Sequence, residues 1–271
     1  MYLFEEKSVV EWCEAHTDRY AISPYISEMT NTLSNLSFLY VAYLLSFYKH
    51  QHPLFWQCNC VLVCVGLGSA IFHATETFAG EIADELPMSI LMYYYVSIAC
   101  HIRKWRFPRA VYLGVATLGW SLYLMYRQHV IFLTLFSCQL AIPVYITLEG
   151  TYGSLPNPPC SCVKVVDKRV VFNGREPTVS LATLPNESRG VAGVVAKRLI
   201  DAKHLRAAAP LPCLCFAFAS IVFGKMCWLF ERYLYTYQIC PEMSSPLYLL
   251  HSFWHLGAAF GHYWIMRHWM S

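Results

Sequence analysis

Apolar residues fall in long uninterrupted blocks along this chain, and the charged residues fall almost entirely between them. Seven stretches contain no Asp, Glu, Lys or Arg: 29–48, 50–75, 86–102, 110–126, 128–148, 207–224 and 243–266. They run from 17 to 26 residues, and the sixth continues past Lys225 through 226–230. A helix that crosses a bilayer needs roughly 20 mainly apolar residues, because the hydrocarbon core is about 30 Å thick. The pattern predicts an all-α fold, a seven-transmembrane helical bundle. Sustained period-2 alternation, the mark of a membrane β-barrel, is missing.

The same pattern divides the chain. Residues 1–28 form an acidic, polar N-terminal tail, 29–148 hold spans one to five, and 210–271 hold spans six and seven. Between them lies a polar stretch, 149–209, that contains Pro156, Pro158, Pro159, Gly174, Pro177 and Pro185. Its composition predicts a mobile insert, with a short helix near 191–206. The tail has no early apolar core, so the first span is expected to act as its own insertion signal.

Composition agrees with the membrane reading. Hydrophobic residues make up 56% of the chain and charged residues 14%, against roughly 25% charged in an average soluble domain. Disorder, a coiled coil and a nucleic-acid binder are all excluded by that balance. Lys and Arg set the orientation. With the N-terminus outside or in the lumen, 15 of the 20 Lys and Arg fall in cytoplasmic segments and 4 on the opposite side, with Lys225 inside the sixth span. The expected topology therefore has a luminal N-terminus, a cytoplasmic C-terminus and a cytoplasmic insert. Most of the 12 cysteines lie within spans. Cys13 and Cys240 fall in expected luminal segments, which are oxidising, and are expected to form a disulfide that pins the tail.

Polar residues inside spans are costly and are retained for function by default. Ser69 and His73 lie in the second span, Asp84 and Glu85 open the third, Glu231 ends the sixth, and His251 and His255 lie in the seventh. With the expected topology all of them sit toward the luminal face. His251 and His255 share one helix face at i, i+4, as do Ser69 and His73. Three neutral imidazoles from two helices suit a catalytic Zn²⁺, which keeps its fourth position for water. Each residue also has an ordinary account. His73 alone could be an interfacial histidine, Ser69 could bond the carbonyl of Val65, and Asp84-Glu85 could complement the dipole at a helix start. The other eight histidines read as interfacial, loop or packing residues.

Several motifs together resemble the alkaline ceramidases, seven-span membrane amidohydrolases. They are Glu11-Trp12-Cys13-Glu14, Ile26-Ser27-Glu28 with Asn31 to Asn35, Gly66-Leu67-Gly68-Ser69 with Phe72-His73, Asp84-Glu85-Leu86-Pro87-Met88, and His251-Ser252-Phe253-Trp254-His255. The resemblance implies hydrolysis of the N-acyl bond of ceramide, a lipid substrate, to a sphingoid base and a fatty acid, in an endoplasmic reticulum or Golgi membrane. It implies zinc ligands at His73, His251 and His255, a serine beside the metal at Ser69 and an acid/base carboxylate at Asp84. It also implies a structural Ca²⁺ in the tail, held by Glu11, the Trp12 carbonyl, Glu14 and Glu28. The fifth position of that motif, usually Asn, is His16 here, and imidazole suits a hard cation poorly. The Ser-x-x-x-His, Asp and His-x-x-x-His parts also resemble the progestin and adipoQ receptors, so a receptor that retains the metal site is the alternative. A histidine-ligated iron desaturase would need many more clustered histidines.

Overall fold

A computed structural model describes residues 6–48, 52–152, 163–166, 169–172 and 210–270. The chain separates into two units, residues 1–146 with 211–271, and residues 147–210. Helices α1 (Cys13–Asp18), α2 (Met29–Ser34), α3 (Leu36–Ser46), α4 (Pro53–Thr75), α5 (Phe78–Arg103) and α6 (Arg109–Tyr126) come first. They are followed by α7 (His129–Tyr152), α8 (Pro210–Thr236), a 3-10 turn at Pro246–Leu249 and α9 (Leu250–Met270). The smaller unit contains one antiparallel hairpin, β1 (Val163–Val166) with β2 (Arg169–Phe172). The sequence reading assigned no strand there. Its expected helix near 191–206 lies outside the described residues.

Helices α4, α7 and α8 are long and apolar enough to cross a bilayer by length and composition. Outward residues such as Val111 and Leu118 on α6, and Phe218 and Met226 on α8, are exposed. Apolar surface of that extent belongs in lipid, and this is a membrane protein. The stretch 29–48, read as one span, is divided at Asn35 into α2 and α3. The third stretch differs more. Its helix begins at Phe78 rather than near 86, so Asp84 and Glu85 lie in the second turn of α5. The account of these two carboxylates as charges at a helix start therefore fails. That place belongs to Thr77, whose hydroxyl accepts from the Gly80 amide at 3.1 Å.

Local chemistry explains the helix ends. Pro53 supplies a fixed φ at the first position of α4, and the His52 side chain accepts from the Leu54 amide. Helix α4 stops where Glu76 turns left-handed, at φ 50°, and donates its amide to Phe72 O at 2.7 Å. Lys104 and Arg127 end α5 and α6 in the same left-handed way. Only Glu76 and Thr77 separate α4 from α5, so the two helices run back as a tight hairpin.

The main core lies among α3, α4, α5 and α9. Phe38, Val41 and Leu45 meet Cys58, Leu62 and Val65, with Leu91, Met92, Ile98, Ala259 and Met266 completing the cluster. Helices α4 and α5 touch most closely at Gly68. A Cβ there would lie 1.9 Å from the carbonyl oxygen of Ala83 and 3.1 Å from the amide of Asp84. Only a residue without a side chain lets the backbones meet at this level.

The tail is laid across the α4–α5 turn. Ser8 N–H donates to Glu76 O at 3.0 Å, and Phe78 N–H donates to Glu6 O at 2.8 Å. Farther along, the amides of Ser27 and Glu28 donate to Ala74 O and His73 O, both at 3.0 Å. These bonds satisfy carbonyls that the end of α4 would leave without partners. Arg19 bridges the Glu76 carboxylate, at 2.8 Å, and that of Glu11. Burial raises the Glu76 carboxyl above its ordinary range, the nearby Glu28 charge adds to the effect, and Arg19 opposes it. A disulfide joins Cys13 of α1 to Cys240 after α8, with Cα atoms 5.2 Å apart.

Gly68→Ala should force α4 and α5 apart at a place where backbone, not a flexible side chain, must give way. The expected cost is about 1–3 kcal/mol. It should be read as a lower thermal midpoint of the detergent-solubilised protein, whereas Gly114→Ala, where an added Cβ meets nothing within 4 Å, should leave the midpoint near wild type.

Candidate metal centre

His73 sits on the last turns of α4, and His251 and His255 on the first turns of α9. All three are buried. Their ring centroids are 4.8 Å (His73 to His251), 4.9 Å (His73 to His255) and 4.7 Å (His251 to His255) apart, close to an equilateral triangle. One nitrogen from each lies within 4.8 Å of the others, a spacing that could hold a metal ion. Among the described residues, this is the set of His, Cys, Asp and Glu side chains that converges in this way.

The second nitrogen of each ring identifies its tautomer. His73 Nδ1 bonds the Glu28 carboxylate. His251 Nδ1 lies 2.9 Å from Glu231 Oε2. His255 Nδ1 lies 2.6 Å from Ser34 Oγ, whose own hydrogen goes to Asn31 O at 2.7 Å. Acceptors therefore face Nδ1 in all three rings. The proton belongs on Nδ1, and the Nε2 lone pair is left for a metal. This donor set fits a metal that favours imidazole nitrogen, with its outer partners already in place.

The outer partners come from separate elements. Glu28 precedes α2, and its Oε2 also accepts from Asn31 Nδ2 at 3.2 Å. Glu231 lies on α8, and its Oε1 accepts from the Cys13 amide at 3.1 Å, beside the disulfide. The Trp12 ring lies 3.9 Å, centroid to centroid, from that of His251. The tail is thus part of the wall of the centre. Sequence reasoning noted Glu231 as a polar residue in a span without giving it a task. It gave Ser34 none, although Ser34 lies within the Asn31–Asn35 motif.

A cavity of about 270 Å³ opens beside the histidines and is lined by Ser69, Asp84, His251 and His255. Most of its wall is apolar, including Leu62, Leu91, Phe132 and Phe136. Ser69 and Asp84 are the neighbours of the close approach at Gly68, and both line the cavity. His262, read as a packing residue, also lines the cavity, with Nδ1 2.5 Å from the Tyr95 hydroxyl. His129 Nε2 lies 3.3 Å from Glu85 Oε1.

The tail residues compared above with a calcium site have protein partners of their own. Glu14 accepts from Thr30 N (2.7 Å), Thr30 Oγ1 (2.6 Å) and Asn31 N (2.9 Å), so it caps the start of α2. Glu11 is met by Lys7, by Arg19 and by the Tyr235 hydroxyl at 2.6 Å. The Trp12 carbonyl takes the His16 amide at 3.2 Å. The exposed His16 ring packs edge-on against Tyr235. Cations surround Glu11 and His16 offers a ring nitrogen, both unfavourable to a calcium shell, whereas Glu28 Oε1 is buried without a hydrogen-bond partner.

Fold and site together define a helical membrane protein with a buried three-histidine centre beside an apolar cavity. The chain belongs to the Ceramidase family, whose model matches residues 4–270. It is similar to an alkaline ceramidase of Saccharomyces cerevisiae, 29% identical over 170 residues, which is 56% of this chain and 51% of that one. An alkaline ceramidase of Drosophila melanogaster is 31% identical over 122 residues, covering 43% of this chain and 41% of its own. One of Caenorhabditis elegans is 28% identical over 172 residues, covering 57% and 61%. The matched stretches thus span from about two fifths to three fifths of these relatives' own lengths.

Glu231→Ala should release the His251 ring and weaken metal binding by roughly 10–100-fold. Metal titration of the chelator-treated protein measures it. An unchanged affinity would mean that His251 does not need this partner in order to bind.

Proposed function

We propose that this protein is a zinc-dependent ceramidase, which hydrolyses the N-acyl amide of ceramide to a sphingoid base and a free fatty acid. The observation that carries this reading is the convergence of three buried imidazoles, each with an oxygen partner at Nδ1, beside a cavity that Asp84 and Ser69 also line. Family membership and the names of the relatives support the same substrate class.

His73, His251 and His255 would hold a zinc ion, which would supply Lewis-acid polarisation of a carbonyl and a bound water with its pKa lowered to about 7. The chain's own groups do the rest. Glu28, Glu231 and Ser34 fix the three rings, so no reorientation is needed during reaction. The apolar wall receives the hydrocarbon chains and excludes bulk water. Asp84 takes a proton from the attacking water as its oxygen adds to the acyl carbon. It then delivers that proton to the sphingoid nitrogen as the C–N bond breaks. Ser69 donates its hydroxyl to the oxyanion that develops on the carbonyl, a contact typically worth about 3–4 kcal/mol. The tail acts by position, held by the Cys13–Cys240 disulfide and by protein groups around Glu11 and Glu14.

In this reading the bundle has seven spans, formed by α2 with α3 and by α4 to α9 singly. The N-terminus and the disulfide are luminal, and the C-terminus and residues 149–209 are cytoplasmic. The excess of Lys and Arg assigned to the cytoplasmic side supports that orientation, and the membrane is that of the endoplasmic reticulum or Golgi.

Purified protein should release sphingoid base from ceramide, and a chelator should abolish the release. Asp84→Asn should lower turnover at least about 100-fold, in line with the loss of a general acid–base group, while bound zinc stays near stoichiometric. His251→Ala should lose both. Normal turnover in Asp84→Asn would move the proton transfer to another group, and a histidine variant that kept metal and rate would end the zinc hydrolase reading. A ceramide-inert protein with intact metal would instead point to a receptor.

Topology is tested separately. An epitope inserted within 149–209 should be reached by antibody in sealed microsomes without detergent. Protection there would invert the bundle.

A further inference from the structure

Lys225 sits near the middle of α8, inside a helix long and apolar enough to span the bilayer. An ammonium at such a depth is costly, and it is kept where it meets a partner or a cavity. Ile221, Lys225 and Trp228, at i, i+4 and i+7, lie on one face of α8, and all three line the cavity with Asp84, His251 and His255. Nζ lies 3.4 Å from the centroid of the Trp228 ring and 5.7 Å from that of Trp254, the residue before His255. The two indoles hold the ammonium beside the histidine centre without neutralising it.

Among the described residues no carboxylate forms an ion pair with Lys225. Three buried carboxylates of the bundle have other partners, while Asp84 shares the cavity wall with Lys225. Glu85 meets His129, and Glu81 accepts from Val9 N at 2.6 Å and from the Tyr123 hydroxyl at 2.8 Å. Glu231 is taken by His251 and the Cys13 amide. The cavity thus presents a cation with no ion-paired carboxylate, in a mainly apolar wall that also holds Glu81, Asp84, Glu85 and two of the three clustered histidines.

Amide hydrolysis creates the matching anion. Adding water across the C–N bond leaves an amine on one fragment and a carboxylic acid on the other, and the acid is a carboxylate at neutral pH. We propose that Lys225 binds the carboxylate of a long-chain fatty acid and holds the acyl product in the cavity beside the histidine centre. This assignment rests on the amidohydrolase reading above for the origin of the ligand. A carboxylate and an ammonium are each unfavourable alone in an apolar cavity, and together they offset much of that cost. The alkyl chain suits the wall formed by Leu62, Met88, Leu91, Phe132 and Phe136. Fatty acid is then a product inhibitor, recognised by its charge as well as by its chain.

The test is direct binding of hexadecanoate to the purified full-length protein, in zinc-loaded and in chelator-treated form, compared with Lys225→Met, Lys225→Gln and Lys225→Arg. Wild type should bind hexadecanoate at least tenfold more tightly than the Met and Gln variants in both forms. The Arg variant should stay within about threefold of wild type, and hexadecanol should not distinguish wild type from Lys225→Met. Using both neutral variants guards against one of them failing to fold, which a monodisperse elution profile checks. Equal hexadecanoate affinity in wild type and a folded neutral variant overturns the proposal. So does binding lost on chelation alone, which would assign the carboxylate to the metal. Sphingoid release from ceramide is measured in parallel. Lys225-dependent binding without turnover would keep the site and remove the ceramidase reading, and turnover without Lys225 dependence would do the reverse.

Discussion

The imidazole of His73, buried and tied through Nδ1 to the carboxylate of Glu28, is the contact on which the rest of the centre depends. A buried imidazole without a partner would be costly and free to rotate. With Nδ1 engaged, its Nε2 has one direction. The same pair also fastens the tail, because the backbone amide of Glu28 donates to the carbonyl of His73. Backbone and side chain of one tail residue thus close the end of α4 and aim its functional ring. Glu231 repeats the arrangement from the other side. One oxygen holds His251, and the other holds the amide of Cys13, next to the bond that joins tail and α8–α9 loop.

A second constraint is the approach of α4 and α5. Gly68 permits backbone contact at Ala83, and the neighbours of that contact, Ser69 and Asp84, are the two residues given chemical roles in the proposed reaction. Packing and chemistry are therefore coupled through a position that has no side chain. The early start of α5 matters for the same reason. Had the helix begun near residue 86, Asp84 would have stood in a loop, where nothing would fix its distance from Ser69. Within α5 its place is set by the helical repeat.

Three buried carboxylates follow a consistent rule. Glu81, Glu85 and Glu231 each meet a donor from another element, so each carboxylate ties two parts of the bundle together. Lys225 meets aromatic faces instead. The proposed reaction releases a carboxylate into hydrocarbon, and the proposed role of this lysine gives that charge a place to rest in the same cavity.

Periodicity and charge carried the coarse features of this protein. Long apolar blocks announced a helical membrane protein. Spacing of four placed His251 with His255, and Ser69 with His73, on shared faces, and the acidic tail with its cysteine was marked as belonging to the site. Helix ends were less legible, since the start of α5 depends on Thr77 and Gly80 rather than on hydrophobicity, and the break at Asn35 lies inside an apolar run. The tertiary structure alone decided which groups stand behind the histidines. Glu28, Ser34 and Glu231 are 45, 221 and 20 residues from the rings they hold. No local pattern connects such pairs, because they meet only when the helices pack. The same holds for Glu14, which the motif compared with a metal ligand and the fold uses to cap α2, and for Lys225, whose direction depends on which face of α8 turns toward the cavity.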